Sequence, residues 1–116
     1  MRKIKLFEDF KNDEFIGSEV LNILRPLGKF YFKYDVRFDS GRLVISLSKK
    51  DTEGIRVFDS SDVLETLLNV DGYLSMGESM TLETIFVKTI SVEKELKLVK
   101  EISRENGLLS IVLVYN

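Results

Sequence analysis

Between Phe30 and Lys50 the chain alternates apolar and polar residues in two runs separated by Ser40-Gly41, and this pattern leaves few ways to fold. Phe30, Phe32, Tyr34, Val36 and Phe38 alternate with Tyr31, Lys33, Asp35, Arg37 and Asp39. After the Ser-Gly pair, Leu43, Ile45 and Leu47 alternate with Val44, Ser46 and Ser48. Strand side chains point to opposite faces with a period of two, so each run is a strand with one apolar face. A two-residue turn at Ser40-Gly41 pairs Asp39 with Arg42, Phe38 with Leu43, Val36 with Ile45 and Tyr34 with Leu47. Every apolar pair then falls on one face. The other face pairs Lys33 with Ser48, Asp35 with Ser46 and Arg37 with Val44. A slip of one residue would turn the apolar sets to water, so burial specifies the register.

The flanking segments suggest an α+β domain. Arg2–Phe7 alternates Lys3 and Lys5 with Ile4 and Leu6 and reads as a short strand. Glu8–Ile16 reads as a turn of helix or a loop. Ser18 is a good N-cap for a helix carrying Val20, Leu21, Ile23, Leu24 and Leu27, which Pro26 and Gly28 end. Asp51–Gly54 is a polar turn, and Ile55–Phe58 is expected as the third strand of an antiparallel meander. Asp59, Ser60 and Ser61 offer caps for a helix with Val63, Leu64, Leu67 and Leu68, stopped by Asp71-Gly72. Gly72–Thr81 reads as a loop and Leu82–Ile90 as a strand. Ser91 is expected to cap a helix with Val92, Leu96, Val99 and Ile102 on one side, closed by Asn106-Gly107. Leu108–Tyr115 is the last strand. Strand, helix, strand over this span has the size of a βαβ unit, which predicts parallel pairing. The expected fold is therefore a mixed sheet of five to six strands, an antiparallel meander plus a C-terminal βαβ. Two to three helices are expected to pack mainly on one face. This order of elements occurs on several unrelated scaffolds, so it names no family.

The chain has 116 residues, 44% hydrophobic and 31% charged, with no histidine and no cysteine. This suits one domain, 1–116, burying roughly two thirds of its unfolded surface without disulfides. Missing cysteine removes disulfides, thiolate zinc sites and thiol nucleophiles, and agrees with a reducing, cytoplasmic setting. Missing histidine removes the commonest general base and the commonest zinc ligand. No cofactor and no metal is expected. The basic start of the chain runs into Glu8, Asp9 and Lys11, so a secretory leader is not expected, and no apolar run is long enough to span a membrane. Net charge is −2, with both signs interspersed, which lowers the expectation of nucleic-acid binding. Alanine, glutamine and tryptophan are also absent, a composition that fits an AT-rich thermophile, a virus or a plasmid.

The candidate sites follow from what remains. Leu108–Tyr115 is apolar on both faces except at Ser110. Such a strand is either central and covered on both faces or closed by another chain, since a bare apolar edge aggregates. Leu109, Ile111, Leu113 and Tyr115 are the expected protein interface under the second reading. Gly72, Met76, Gly77 and Met80 mark a possible mobile binding loop, with adaptable thioether contacts. That stretch lacks the phosphate-loop lysine and the dinucleotide spacing. On the polar face of the hairpin, Tyr31, Lys33, Arg37, Lys49 and Arg56 could stack bases and neutralise phosphates, against which Asp35 and Asp39 repel. Those two acids, four residues apart on one strand with Arg37 between them, are too distant for a retaining carboxylate pair. The leading expectation is a non-enzymatic accessory or regulatory protein that binds another protein, as a homodimer. Single-stranded nucleic-acid or RNA binding through the sheet face is the alternative, and an enzyme using carboxylate or lysine chemistry comes third.

Overall fold

The computed structural model describes residues 7–30, 32–49 and 57–116. Its strands are β1 Phe32–Asp39, β2 Arg42–Lys49, β3 Leu82–Thr89, β4 Glu93–Leu96 and β5 Leu108–Tyr115. They form one sheet in the order β1-β2-β5-β3-β4. Two α-helices accompany it, α1 Phe7–Leu24 and α2 Ser60–Gly72. The fold is α+β with five strands, and every neighbouring pair of strands is antiparallel.

The hairpin β1–β2 has the register that its alternation dictates, from Lys33 opposite Ser48 to Asp39 opposite Arg42. Ser40 and Gly41 both take positive φ, 54° and 81°. This is the primed two-residue turn whose twist matches that of paired strands. The meander ends there. The second neighbour of β2 is β5, not a strand at Ile55–Phe58. Residues 55 and 56 lie outside the described part of the chain, as do Arg2–Leu6 of the expected first strand. Phe58 instead makes an isolated antiparallel bridge to Leu108.

The expected parallel βαβ unit is replaced by a hairpin. Hydrogen bonds at Thr89 hold the reversal in place. Its hydroxyl oxygen accepts hydrogen bonds from the backbone N–H of Ser91 and Val92, at 3.2 and 3.1 Å. The Thr89 N–H donates to the Val92 carbonyl at 2.8 Å. The chain therefore reverses at Ile90–Val92, and the donors that a helix would have capped are spent in the turn. β4 pairs back along β3, with Leu96 opposite Ile85 and Glu93 opposite Lys88. A 3₁₀ turn at Val99–Arg104 then returns the chain, so β5 enters antiparallel to β3. Leu96, Val99 and Ile102 are still buried, as the helical reading required, because the hairpin and the turn aim the same residues inward.

α1 runs further than its local signals suggest, and α2 is prolonged by a turn of another kind. α1 passes through Gly17 and Ser18, since Ile16, Val20 and Leu24 form one buried stripe and burial outweighs the preference of Ser18 for a cap. α2 ends at Gly72, which is itself helical (φ −60°, ψ −44°), and a π turn at Tyr73–Gly77 continues from it. The stop expected at Asp71-Gly72 does end the α-helix, but Leu74 is completely buried, and its packing holds the first residues of the expected loop in the π turn. The core unites Ile16, Val20, Val63 and Leu67 of the helices with Ile45, Ile85, Ile111 and Leu113 of the sheet.

Tyr115 closes the end of that core. Its ring has no exposed surface, and its hydroxyl donates to Asp71 Oδ1 at 2.6 Å. Burial first, and then the Asp71 carboxylate, push its pKa far above the ordinary value of 10.0. Burial and the neighbouring Glu78 and Glu19 raise Tyr73 in the same direction. Below pH 10 the folded and unfolded chains both keep the Tyr115 proton. As pH rises above that point the unfolded chain loses its proton first, and stability falls by up to roughly 1.4 kcal/mol per pH unit from this group. Replacing Tyr115→Phe should cost about 2 kcal/mol at neutral pH and flatten the alkaline decline, both read from urea unfolding across a pH series. A second expected outcome concerns the hairpin. Gly41→Ala should cost about 1 kcal/mol in the same unfolding experiment, because alanine must adopt the left-handed region.

Candidate binding face of the sheet

The alternation that buries one side of the sheet leaves the other side as a single surface. Its middle row runs Asp35, Ser46, Val112, Phe86, Glu95 across β1, β2, β5, β3 and β4. The row on one side is Arg37, Val44, Val114, Thr84, and the row on the other is Lys33, Ser48, Ser110, Lys88, Glu93. Val44, Val112 and Val114 are half-buried, and Phe86 is 51% exposed. The centre of this face is therefore apolar, with small hydroxyl residues around it and charges at both margins.

The margins are internally paired. Lys88 Nζ lies 3.7 Å from Glu93, and Thr84 donates a short hydrogen bond to Glu95. Arg42 reaches Glu83 at 3.3 Å, where the β3–β5 register shifts and Glu83 is the extra residue. A shallow depression of about 440 Å³ lies over β3, β4 and β5, lined by Phe86, Lys88, Glu93, Glu95, Ser110 and Val112. Lys94, of opposite parity, turns to the other side and meets the buried Glu105 at 2.8 Å. That pair ties the β4 margin to the turn before β5.

The residues singled out in the sequence are redistributed. Ile111, Leu113 and Tyr115 are all 0% exposed. β5 is the central strand, so these three side chains belong to the core and cannot form a protein interface. Leu109 is half-buried and is the extra residue where the β3–β5 register shifts beside Lys88 and Thr89. The apolar side chains that β5 offers outward are Val112 and Val114, the other set of the same alternation. A strand apolar on both faces does not itself say which set is inside.

Of the proposed phosphate-binding cations, Lys33 and Arg37 share the open face, with Asp35 between them and Asp39 beyond. Lys49 has the parity of Leu43, Ile45 and Leu47, the buried set, and so belongs to the opposite side of the sheet. Tyr31 and Arg56 lie outside the described residues. The loop set also separates. Gly72 is in α2, Gly77 ends the π turn, Met76 is 86% exposed and Met80 is buried. Among the described residues, no helix is long and apolar enough to cross a membrane. No family model, curated protein or solved structure matches the chain.

With Lys33 and Arg37 flanked by Asp35 and Asp39, and Lys88 and Arg42 paired with Glu93 and Glu83, phosphate neutralisation is poor. A single-stranded RNA probe should therefore show no retardation in a low-salt mobility-shift titration. Retardation that disappears on Lys33→Glu or Arg37→Glu would contradict this.

Proposed function

We propose that this is a non-enzymatic protein-binding domain of accessory or regulatory type, that it works as a homodimer, and that the open sheet face is the surface between copies. The observation that carries the reading is Phe86. A large aromatic side chain stands half in water at the middle of a sheet, beside Val112, rather than at a margin. Exposed apolar residues scattered singly are ordinary, but a contiguous patch rimmed by polar residues is the signature of a contact surface. Aromatic residues at the centre of such a patch supply most of the energy of association.

The strand order is symmetric about β5, with two strands on each side. A two-fold axis along β5 lays Phe86 of one protomer over Ser46 of the partner subunit, a large side chain over a small one. Val112 packs near the axis. The same operation lays Lys33 over Glu93 of the partner subunit, opposite signs at the margin. It also lays Asp35 over Glu95 of the partner subunit, so the attraction of Lys33 for Glu93 of the partner subunit at this margin is offset by one like-charge pair, and the apolar centre carries the association.

The test is light scattering over a concentration series. The wild-type protein should rise from 13.4 kDa towards twice that mass in the micromolar range. Phe86→Asp should stay at the monomer mass with an unchanged circular dichroism spectrum, since Phe86 lies outside the core. A wild-type protein that remains monomeric at every concentration would contradict the homodimer. A Phe86→Asp protein that still dimerises would remove the sheet face from it.

A further inference from the structure

The short link into β5 holds a reactive pair of residues. Asn106 lies between the 3₁₀ turn and β5, in neither a helix nor a strand, and it is exposed. Gly107 follows it. Among the described residues, neither the Asn106 side chain nor the Gly107 N–H has a hydrogen-bond partner. Joining the Gly107 nitrogen to Asn106 Cγ closes a five-membered ring. A side chain on the second residue would crowd that closure, and glycine has none.

The fold requires glycine at this position on two counts. Its φ is +66°, in the left-handed region. A Cβ there would lie 3.0 Å from Ile90 Cγ1 and 3.3 Å from Ile90 Cδ1. The residue that leaves Asn106 open to attack therefore cannot be exchanged cheaply for a bulkier one.

The comparable positions are held. Asn12, Asn22 and Asn69 lie within α1 and α2. A helical N–H is committed to the carbonyl four residues back. Asp71 also precedes a glycine, but Gly72 is helical, and the Asp71 carboxylate accepts the Tyr115 hydroxyl at 2.6 Å.

We propose that Asn106-Gly107 is a modification site at which the folded protein deamidates without an enzyme, with hydroxide and water as co-reactants. Hydroxide takes the Gly107 amide proton. The nitrogen then bonds to Asn106 Cγ and the Cγ–Nδ2 bond breaks. Nδ2 leaves as ammonia, taking a proton from water and regenerating hydroxide. Water next opens the ring at either of its carbonyls. Opening at Cγ gives aspartate. Opening at the main-chain carbonyl of residue 106 gives isoaspartate, whose main chain runs through Cβ and Cγ. Nothing is oxidised or reduced.

Both products place a new carboxylate next to Glu105, which is buried and paired with Lys94 at 2.8 Å. Isoaspartate also inserts one main-chain atom between two fixed points. On one side, the Glu105 N–H donates to the Ile102 carbonyl at 3.0 Å. On the other, the Gly107 carbonyl accepts from the Ile90 N–H at 3.0 Å, and the Phe58–Leu108 bridge follows at once. Isoaspartate therefore loosens the entry to the central strand, whereas aspartate adds charge alone. The proposal does not depend on the homodimer.

The experiment incubates the full chain in mildly alkaline buffer, with mildly acidic buffer and urea as comparisons. Intact mass and fragmentation of the tryptic peptide 105–116 follow the reaction. The folded wild-type protein should gain about one dalton at residue 106, faster in the alkaline buffer. The peptide should resolve into two products of that mass. Asn106→Gln, whose extra methylene would require a six-membered ring, should lose the gain. Asn12, Asn22 and Asn69 should stay unreacted. The isoaspartate fraction should unfold at lower urea than Asn106→Asp, which carries the same charge in a normal main chain.

No gain at residue 106 in the folded protein would overturn the proposal. So would a gain found only in urea, an equal gain in Asn106→Gln, or a gain spread over the helical asparagines. Equal unfolding of the isoaspartate fraction and Asn106→Asp would overturn the loosening of β5.

Discussion

A strand with neighbours on both sides gives its main-chain donors and acceptors to the sheet, and its side chains must then satisfy both faces. β5 is in that position, between β2 and β3. Ile111, Leu113 and Tyr115 project into the core, and Val112 and Val114 project away from it. The inward set meets Leu43, Ile45 and Leu47 of β2 and Ile85 and Val87 of β3, all in register. The rest of the molecule is arranged around that contact. α1 and α2 contribute buried stripes to the same cluster, and Asp71 at the end of α2 holds the Tyr115 hydroxyl. Moving β5 by one residue would bury Val112 and Val114, expose its core set and break the Tyr115 bond together.

The same constraint produces the surface on which function is proposed to depend. β5 fixes which side of β3 is inside, and so places Phe86 outside, beside Val112. The charged residues of β1 and β4 are held at the margins of that face, since both are terminal strands. A face of this kind, apolar at its centre and charged at its rim, has the anatomy of a contact surface between proteins. The short β4 and the paired charges around it keep that margin from acting as a template for another strand.

The hairpin was readable from the sequence because two independent signals agree there. The alternation of Phe32 to Leu47 specifies the faces, and Ser40-Gly41 specifies the turn, so one register satisfies both. The segment after β3 was misread because its signals conflict. Val92, Leu96, Val99 and Ile102 fit a helical stripe, and only the Thr89 hydroxyl decides for a turn instead. That turn sends β4 back along β3, and the 3₁₀ turn after β4 carries the chain across, so that β5 enters antiparallel to β3. The first helix was misjudged at Ser18, read as its cap, and the residues after Gly72 were misjudged as a loop, for the opposite reason. Each local signal is overruled by burial of residues a turn away, Ile16 and Val20 in α1 and Leu74 in the π turn after α2. The candidate site was readable only by halves. The last strand was correctly marked as unusual, but its two apolar sets are equivalent until the neighbours are known. Lys49 was grouped with Lys33 and Arg37 although its parity already set it apart.

The central claim is that the sheet buries one side and offers the other. Methyl spectra recorded with a soluble paramagnetic probe test it most directly. In dilute protein, the methyl signals of Val44, Val112 and Val114 should broaden, while those of Leu43, Ile45, Ile111 and Leu113 stay sharp. If Val112 and Val114 are shielded as completely as Leu113 in the dilute monomer, both sides of the sheet are covered and the account fails.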